Sequence, residues 1–333
     1  MDGTTGRGYS AWAGAVALMM VLLGHAAMGQ EAEPLKLGLI GLDTSHVIAF
    51  TGMINDADNP EHVPGAKVVA AFKGGSPDLD SSWSRVEEYT KQLQDTWGVE
   101  IVDTIPELCA KVDGILLESV DGRPHLEQAR QVIEAGKPLF IDKPVAGTYE
   151  DVLEIARLAK QHNVPWFGGS SLRWWAGVRE ALDPEKVGDV LGCDAYSPCA
   201  LEEHHPDLFW YGVHGVEILY AAMGKGCVSV SRTSTADSEY VVGVWKDGRI
   251  GTYRGMRAGA HDYGATIYGS KGITRAQGHS YKGLVEQIVR FMQTKQPPMD
   301  PEEIVEEYAF MQCADESKAQ GGAAVTLPEF SLD

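Results

Sequence analysis

Basic residues are scarce in this sequence. Lys and Arg number 28 against 47 Asp and Glu across 333 residues, a formal net charge of −19. A chain this acidic, with no basic tail, cannot neutralise phosphate backbones through counterion release, which excludes nucleic acid as a partner. An anionic membrane surface repels it for the same reason. Cysteine is sparse too. Cys109, Cys193, Cys199, Cys227 and Cys313 form an odd set without a C-x-x-C pair. That excludes a zinc ribbon and a dense disulfide framework, and buried free thiols are the expected state. Internal repeats and low-complexity stretches are missing. What remains is ordinary globular composition, 44% hydrophobic and 23% charged, long enough for two domains that each bury a core.

No apolar run reaches the ~20 residues of a membrane-spanning helix. The unbroken run Ala11 to Leu23 has the length of a signal-peptide h-region instead. Arg7 precedes it, and Ala27-Met28-Gly29 supplies the small residues a signal peptidase needs. The pattern predicts a signal peptide over 1–29, cleavage before Gln30, and an exported (periplasmic or extracellular) chain that leaves the membrane. No second arginine accompanies Arg7, so export runs by the general route, and a chain exported unfolded carries no prebound cofactor.

The first half of the mature chain alternates apolar strands with helical patterns. Strands are expected at Leu35–Gly41, Ala66–Phe72, Gly114–Leu117, Leu139–Ile141 and Val164–Phe167, and helices from about Ser45 and over 82–96, 124–135 and 149–162. Such alternation predicts a Rossmann-like, doubly wound parallel sheet over 34–168, with ligands at the carboxyl ends of its strands. After Gly169 the pattern changes. Strand-like runs at 192–196, 227–233, 240–245, 250–254 and 265–268 have few helices between them, and Lys246-Asp247-Gly248-Arg249 reads as a hairpin turn. An α/β domain with a large, mostly antiparallel sheet is expected over 169–333, closed by helices at 284–293 and 301–317.

Four motifs in order carry a resemblance. Gly136-Lys137-Pro138-Leu139-Phe140-Ile141-Asp142-Lys143-Pro144 is similar to an "AGKHVFCEKP" segment, with Asp142 for Glu. Gly188-Asp189-Val190-Leu191-Gly192 matches the start of a second-domain sheet. Tyr211-Gly212-Val213-His214-Gly215-Val216-Glu217 is similar to "DxGxHxxD", with Trp210 at the first Asp and Glu217 at the last. Ala314-Asp315-Glu316-Ser317 through Gly321 to Leu327-Pro328 matches "A-x-x-S…G…V-x-L-P". Together they resemble the glucose–fructose oxidoreductase / inositol dehydrogenase / rhizopine catabolism (Gfo/Idh/MocA) family over essentially the whole mature chain. The resemblance implies a sugar-acting, NAD(P)-dependent oxidoreductase, with Lys143 and His214 beside the nicotinamide ring and the reacting hydroxyl, and a homo-oligomer paired through the outer face of the second sheet. Histidine takes a hydroxyl proton near neutral pH without tuning, whereas lysine needs burial or a neighbouring charge.

The phosphate turn departs from that pattern. In place of G-x-G-x-x-G it reads Gly41-Leu42-Asp43-Thr44-Ser45-His46. The second glycine lets backbone approach a pyrophosphate at a helix N-terminus. Asp43 is instead expected to cap the helix, filling the anion site with its own charge. Repulsion of a phosphate oxygen at ~4 Å would be roughly 4 kcal/mol at an effective dielectric of ~20, nearly a thousandfold in affinity. The acidic ribose partner after the second strand is replaced by Lys73, which suits a 2′-phosphate. The dinucleotide candidates are therefore Gly38, Gly41, Asp43, His46 and Lys73, for NAD or NADP. Asp43, His46, His214 and Glu217 also form a weak divalent-metal set without standard zinc spacing. His125, Arg173, Trp210, Tyr211 and Glu217 are the substrate candidates, since sugars stack on aromatic rings and present hydroxyls to Arg and carboxylate. Two alternatives to an NAD(P)-linked sugar oxidoreductase stay open: a non-redox, metal-assisted lyase or hydrolase, or a sugar-binding protein that has lost dinucleotide binding. In each the partner is a small carbohydrate.

Overall fold

The computed structural model describes residues 33–278 and 280–332; the expected signal segment 1–29 lies outside them. β1 (Leu35–Ile40), β2 (Ala66–Phe72), β3 (Glu100–Val102), β4 (Gly114–Leu117), β5 (Leu139–Asp142) and β6 (Trp166–Gly169) form one sheet in the order 3-2-1-4-5-6. All its pairings are parallel. β4, β5 and β6 are buried along their whole length, as strands covered on both faces must be. The covering helices are α1 (Ser45–Asn55), α2 (Asp80–Trp83), α3 (Val86–Trp97), α4 (Ile105–Lys111), α5 (His125–Glu134) and α6 (Tyr149–Gln161). Thr104 and Thr148 cap α4 and α6 through their hydroxyls. The strand order reverses between β1 and β4, which opens the crevice at their carboxyl ends.

The helix expected over 82–96 is two pieces. Ser82 accepts the Ser76 N–H and donates to Asp43, so the chain kinks at Ser84-Arg85 between α2 and α3 to serve the turn after β1. Strand β6 begins at Trp166, because Pro165 has no N–H to give a ladder.

A 3₁₀ turn over Ser171–Trp174 leads into the second half. β7 (Val190–Pro198), β8 (Cys227–Ser234), β9 (Ser238–Trp245), β10 (Ile250–Met256), β11 (Gly264–Gly269), β12 (Ile273–Ala276) and β13 (Val325–Thr326) make a second sheet in the order 12-11-7-10-9-8-13. Its pairings are antiparallel except β7–β10. The helices here are α7 (Ala176–Ala181), α8 (Asp207–Trp210), α9 (Val213–Met223), α10 (Lys282–Thr294) and α11 (Pro301–Ala319). α9 packs on β7 and β10, and α11 on β8. The strands also carry exposed apolar side chains: Ile273 (68%), Leu191 (56%) and Ile250 (54%), with Val228, Tyr240, Val244 and Tyr268.

Candidate active site

A cavity of about 280 Å³ lies where the carboxyl ends of the first sheet meet α9. Thr44, Ser45 and His46 line it from the start of α1, Ser81 and Arg85 from the kinked segment, and Lys143 from just beyond β5. Trp175, Trp210, Tyr211 and His214 close it from the second half, with Tyr263 and Tyr281. The volume suits a single sugar-sized ring, at the lower end of the ~300–1,000 Å³ of small-molecule pockets.

His214 and Lys143, expected to work together, do meet here. The His214 Nδ1 shares a 2.7 Å hydrogen bond with the Ser170 hydroxyl, which also accepts the Leu172 N–H. The rings of Tyr211 and Tyr263 meet the imidazole edge-on at 5.1 and 5.8 Å. Burial, and then the Lys143 charge, hold the His214 pKa well below its ordinary value, so the imidazole is a neutral base. The Lys143 ammonium sits 5.9 Å from the Trp210 ring centre and 5.6 Å from that of Tyr211, within cation–π range. His205 packs against Trp210 in a tilted pair with centroids 4.9 Å apart, fixing the ring beneath the ammonium.

On the α1 side, His46 Nδ1 lies 2.5 Å from Asp142 Oδ2. Its ring stacks on Phe50 at 5.0 Å and meets Tyr281 edge-on at 4.8 Å. Asp142 also accepts the Lys143 N–H at 2.8 Å. Burial raises the Asp142 pKa, but the His46 charge and hydrogen bond outweigh it, followed by Lys143, so the net shift is downward. Behind this pair Glu118 is fully buried, and neither carboxyl oxygen has a hydrogen-bond partner. Burial, and then the charges of Asp142 and Asp43, push its pKa well up, which keeps a neutral acid there.

The turn after β1 corrects the expectation for Asp43. The cap of α1 is Thr44, whose hydroxyl accepts the His46 N–H at 3.4 Å. Asp43 is instead wholly buried. It accepts from the Ser82 hydroxyl at 2.6 Å and the Val120 N–H at 2.9 Å and takes no part in lining the cavity. Burial raises its pKa, with the Ser82 and Val120 hydrogen bonds opposing. The carboxyl group is thus engaged by Ser82 and Val120, and the helix N-terminus is capped by Thr44 instead. Gly41 sits at φ +86°, where a Cβ would overlap the Ser119 backbone; its glycine is required by that packing.

The other expected residues have partners of their own. Gly38 is a packing glycine within β1 and does not touch the turn: a Cβ would press on Ile115 and Leu108 at 3.0 Å. The Lys73 ammonium pairs with Glu87 at 2.9 Å. His125 is buried between the carbonyls of Ser119 and Val145. Arg173 binds Glu217 at 2.9 Å, Glu303 at 2.7 Å, and Glu307, while Glu217 accepts the Ser170 N–H. Gly169, at φ +129°, leaves the room Glu217 needs there. None of His125, Arg173 and Glu217 lines the cavity. The weak metal set does not converge: Asp43 faces Ser82, His46 faces Asp142, His214 faces Ser170 and Glu217 faces Arg173. Among the described residues no group of three His, Cys, Asp or Glu is placed to hold a metal, and the metal reading is withdrawn. Trp210 and Tyr211 stand as cavity residues. Tyr263, Tyr281, Arg85, Ser81 and Ser170 were missed, because they come from loops, helix starts and the four-residue α2, whose sequence carries no chemical motif.

Fold and cavity together define a two-sheet protein with a Rossmann-type sheet and a cavity lined by His46, Lys143 and His214 at its switch point. Residues 60–169 match the oxidoreductase family with an NAD-binding Rossmann fold, GFO_IDH_MocA. The scyllo-inositol dehydrogenase of Lactobacillus casei, solved with NAD(H) and scyllo-inositol, superposes with a TM-score of 0.71 at 17% identity, over 88% of this chain and 99% of that one. Inositol 2-dehydrogenase 1 of Saccharopolyspora erythraea is 25% identical over 230 residues, 65% of this chain and 62% of that protein. The 2,7-anhydro-N-acetylneuraminate hydratase of Mediterraneibacter gnavus is 30% identical over 89 residues, 26% of this chain and 24% of that protein. The matched segments span less than two thirds of the length of these curated relatives. Over residues 60–169 the chain thus resembles the Gfo/Idh/MocA family, and its fold is that of the solved neighbours.

Proposed function

We propose that this chain is an exported oxidoreductase that oxidises a hydroxyl of a sugar or cyclitol with NAD or NADP. The observation that carries the reading is the neutral His214, held through Nδ1 by Ser170 beside the Lys143 ammonium in a ring-sized, aromatic-walled cavity. His214 takes the hydroxyl proton through Nε2, the nitrogen that has no partner among the described residues. Lys143 holds the oxygen as negative charge develops on it, and Trp210 and Tyr211 pack the apolar face of the ring.

The residues at the other end of the cavity fit a dinucleotide. The Ser81 hydroxyl is buried without a hydrogen-bond partner. The Arg85 guanidinium faces the same space and has no ion-pair partner among the described residues. Ser45, Ser81 and Arg85 would hold the phosphates at the start of α1, and the bound cofactor would supply the hydride acceptor. The test is titration of the purified mature chain with NAD and NADP, alone and with myo-inositol, scyllo-inositol and glucose, while nicotinamide absorbance is followed. Reduction that falls about 10²–10⁴-fold in His214→Gln is expected; failure to bind either dinucleotide would sink the reading.

One observation favours a second, non-redox reading: His46 with Asp142 gives the cavity a further proton-transfer group, which hydration or elimination needs. Export rests on the apolar run and cleavage pattern of 1–29, and the N-terminus of secreted protein should begin at Gln30. The exposed apolar strand residues of the second sheet support a homo-oligomer paired through them. Ile273→Asp with Leu191→Asp should shift the sedimentation coefficient to that of a monomer.

A further inference from the structure

We propose that His46, held by Asp142, is a second acid–base residue of this cavity, and that together with His214 it enolises the keto form of a bound polyol. His46 stands at the third-glycine position of the phosphate turn. Three contacts fix its ring: Asp142 at Nδ1, Phe50 on one face and Tyr281 at the edge. The residue is only 6% exposed. Its Nε2 has no hydrogen-bond partner among the described residues, and the side chain lines the cavity. A buried imidazole with one nitrogen bound to a carboxylate and the other left open to a cavity is the arrangement of an oriented proton donor or acceptor. His214 lines the same cavity from α9 with its own Nε2 open. Lys143 lies with them, suited to an enolate oxygen.

The step balances without a cofactor. The C–H bond next to the substrate carbonyl breaks, and its proton passes to His214 Nε2. The electron pair forms the C=C bond, the carbonyl π pair moves onto oxygen, and that oxygen takes the proton from His46 Nε2. The reverse returns a proton drawn from solvent to carbon. Asp142 touches no substrate; it is a positioning residue that keeps the His46 Nδ1–H directed at itself. The proposal rests on the reading of the cavity as a polyol site, since a keto-polyol is what oxidation there would produce.

The experiment is exchange in D₂O. The mature chain is incubated with 2-keto-myo-inositol, without dinucleotide, and deuterium on carbon is followed by mass spectrometry. Exchange faster than in buffer is expected, falling about 10²–10⁴-fold in His46→Gln and in His214→Gln. Asp142→Asn should lower the rate with little change in the concentration dependence. Imidazole added to His46→Ala should restore part of the rate, which a purely structural role would not allow. Exchange no faster than the buffer blank overturns the proposal, as does a His46→Gln protein with wild-type melting temperature and wild-type rate. Exchange that persists in a chain that reduces no nicotinamide would sink the oxidoreductase reading and leave this one standing.

Discussion

Arg173 offers the sharpest test of how the second half is held together. Its guanidinium reaches Glu217 at 2.9 Å, Glu303 at 2.7 Å, and Glu307. The side chains are 8% exposed for Arg173, 1% for Glu217 and Glu307, and 16% for Glu303. One cation thus serves three carboxylates away from solvent. Replacing it with Met keeps most of the volume and strands the acids, and breaking a buried pair in this way costs about 3–5 kcal/mol. At roughly 2 °C per kcal/mol for a chain of this size, the melting temperature should fall by about 6–10 °C. The loss must depend on pH. Burial already raises the Glu217 and Glu307 pKa values against the pull of Arg173, and losing the cation raises them further. A carboxyl whose folded pKa lies above its unfolded one favours the fold at low pH, and that contribution disappears as pH rises through the folded value. The penalty of Arg173→Met should therefore be small near about pH 4–5 and full by about pH 8. Thermal unfolding followed by circular dichroism across that range reads it directly. A loss under about 1 kcal/mol at the upper end, or an equal loss at both ends, would refute the reasoning. A folded variant that loses polyol affinity selectively would return Arg173 to the substrate site.

Three further outcomes follow from the geometry. Gly41→Ala adds left-handed strain and an overlap with the Ser119 backbone, and should cost about 2–5 kcal/mol in denaturant unfolding; a loss below about 1 kcal/mol would contradict the packing. Asp43→Asn removes a buried carboxyl whose raised pKa makes its contribution fade as pH rises. Its melting temperature should therefore improve relative to wild type between about pH 4 and about pH 8, and a trend of opposite sign would count against it. The five cysteines are buried and free, and burial pushes Cys227 and Cys313 up to about 12 and Cys109 to about 11. A thiol reagent should find no reactive group in the native protein and all five after unfolding, so rapid native labelling would be inconsistent with this structure.

Both sheets were legible because their signals are local. β2 and β4 fall where the apolar runs ended, and β9–β10 turns at the Asp247-Gly248 hairpin. β3 and α4 were missed: a three-residue strand and a seven-residue helix are too short to show a period. At the site, Lys143 and His214 were readable from motifs, whereas Asp43 was misread. Its type and position pointed to a cap, but Ser82, 39 residues on, draws the carboxylate under the turn. Arg173 and Glu217 were misread for a related reason. Their charge implied a polar ligand, but they bind each other 44 residues apart, and Arg173 also binds Glu303 and Glu307 of α11, 130 and 134 residues on. Tertiary partners of this kind leave no trace in local pattern.

Arg173 follows the last strand of the first sheet, while its acceptors ride on α9 and α11. Tyr308 of α11 likewise receives the Val145 N–H at 2.5 Å. Exchange of the halves by recombination is thus restricted in where it can occur. A chimera joined between Arg173 and α9 would separate the cation from its acceptors unless the incoming half carried carboxylates at the positions of Glu217, Glu303 and Glu307, whereas one joined before Ser170 would carry all four residues together.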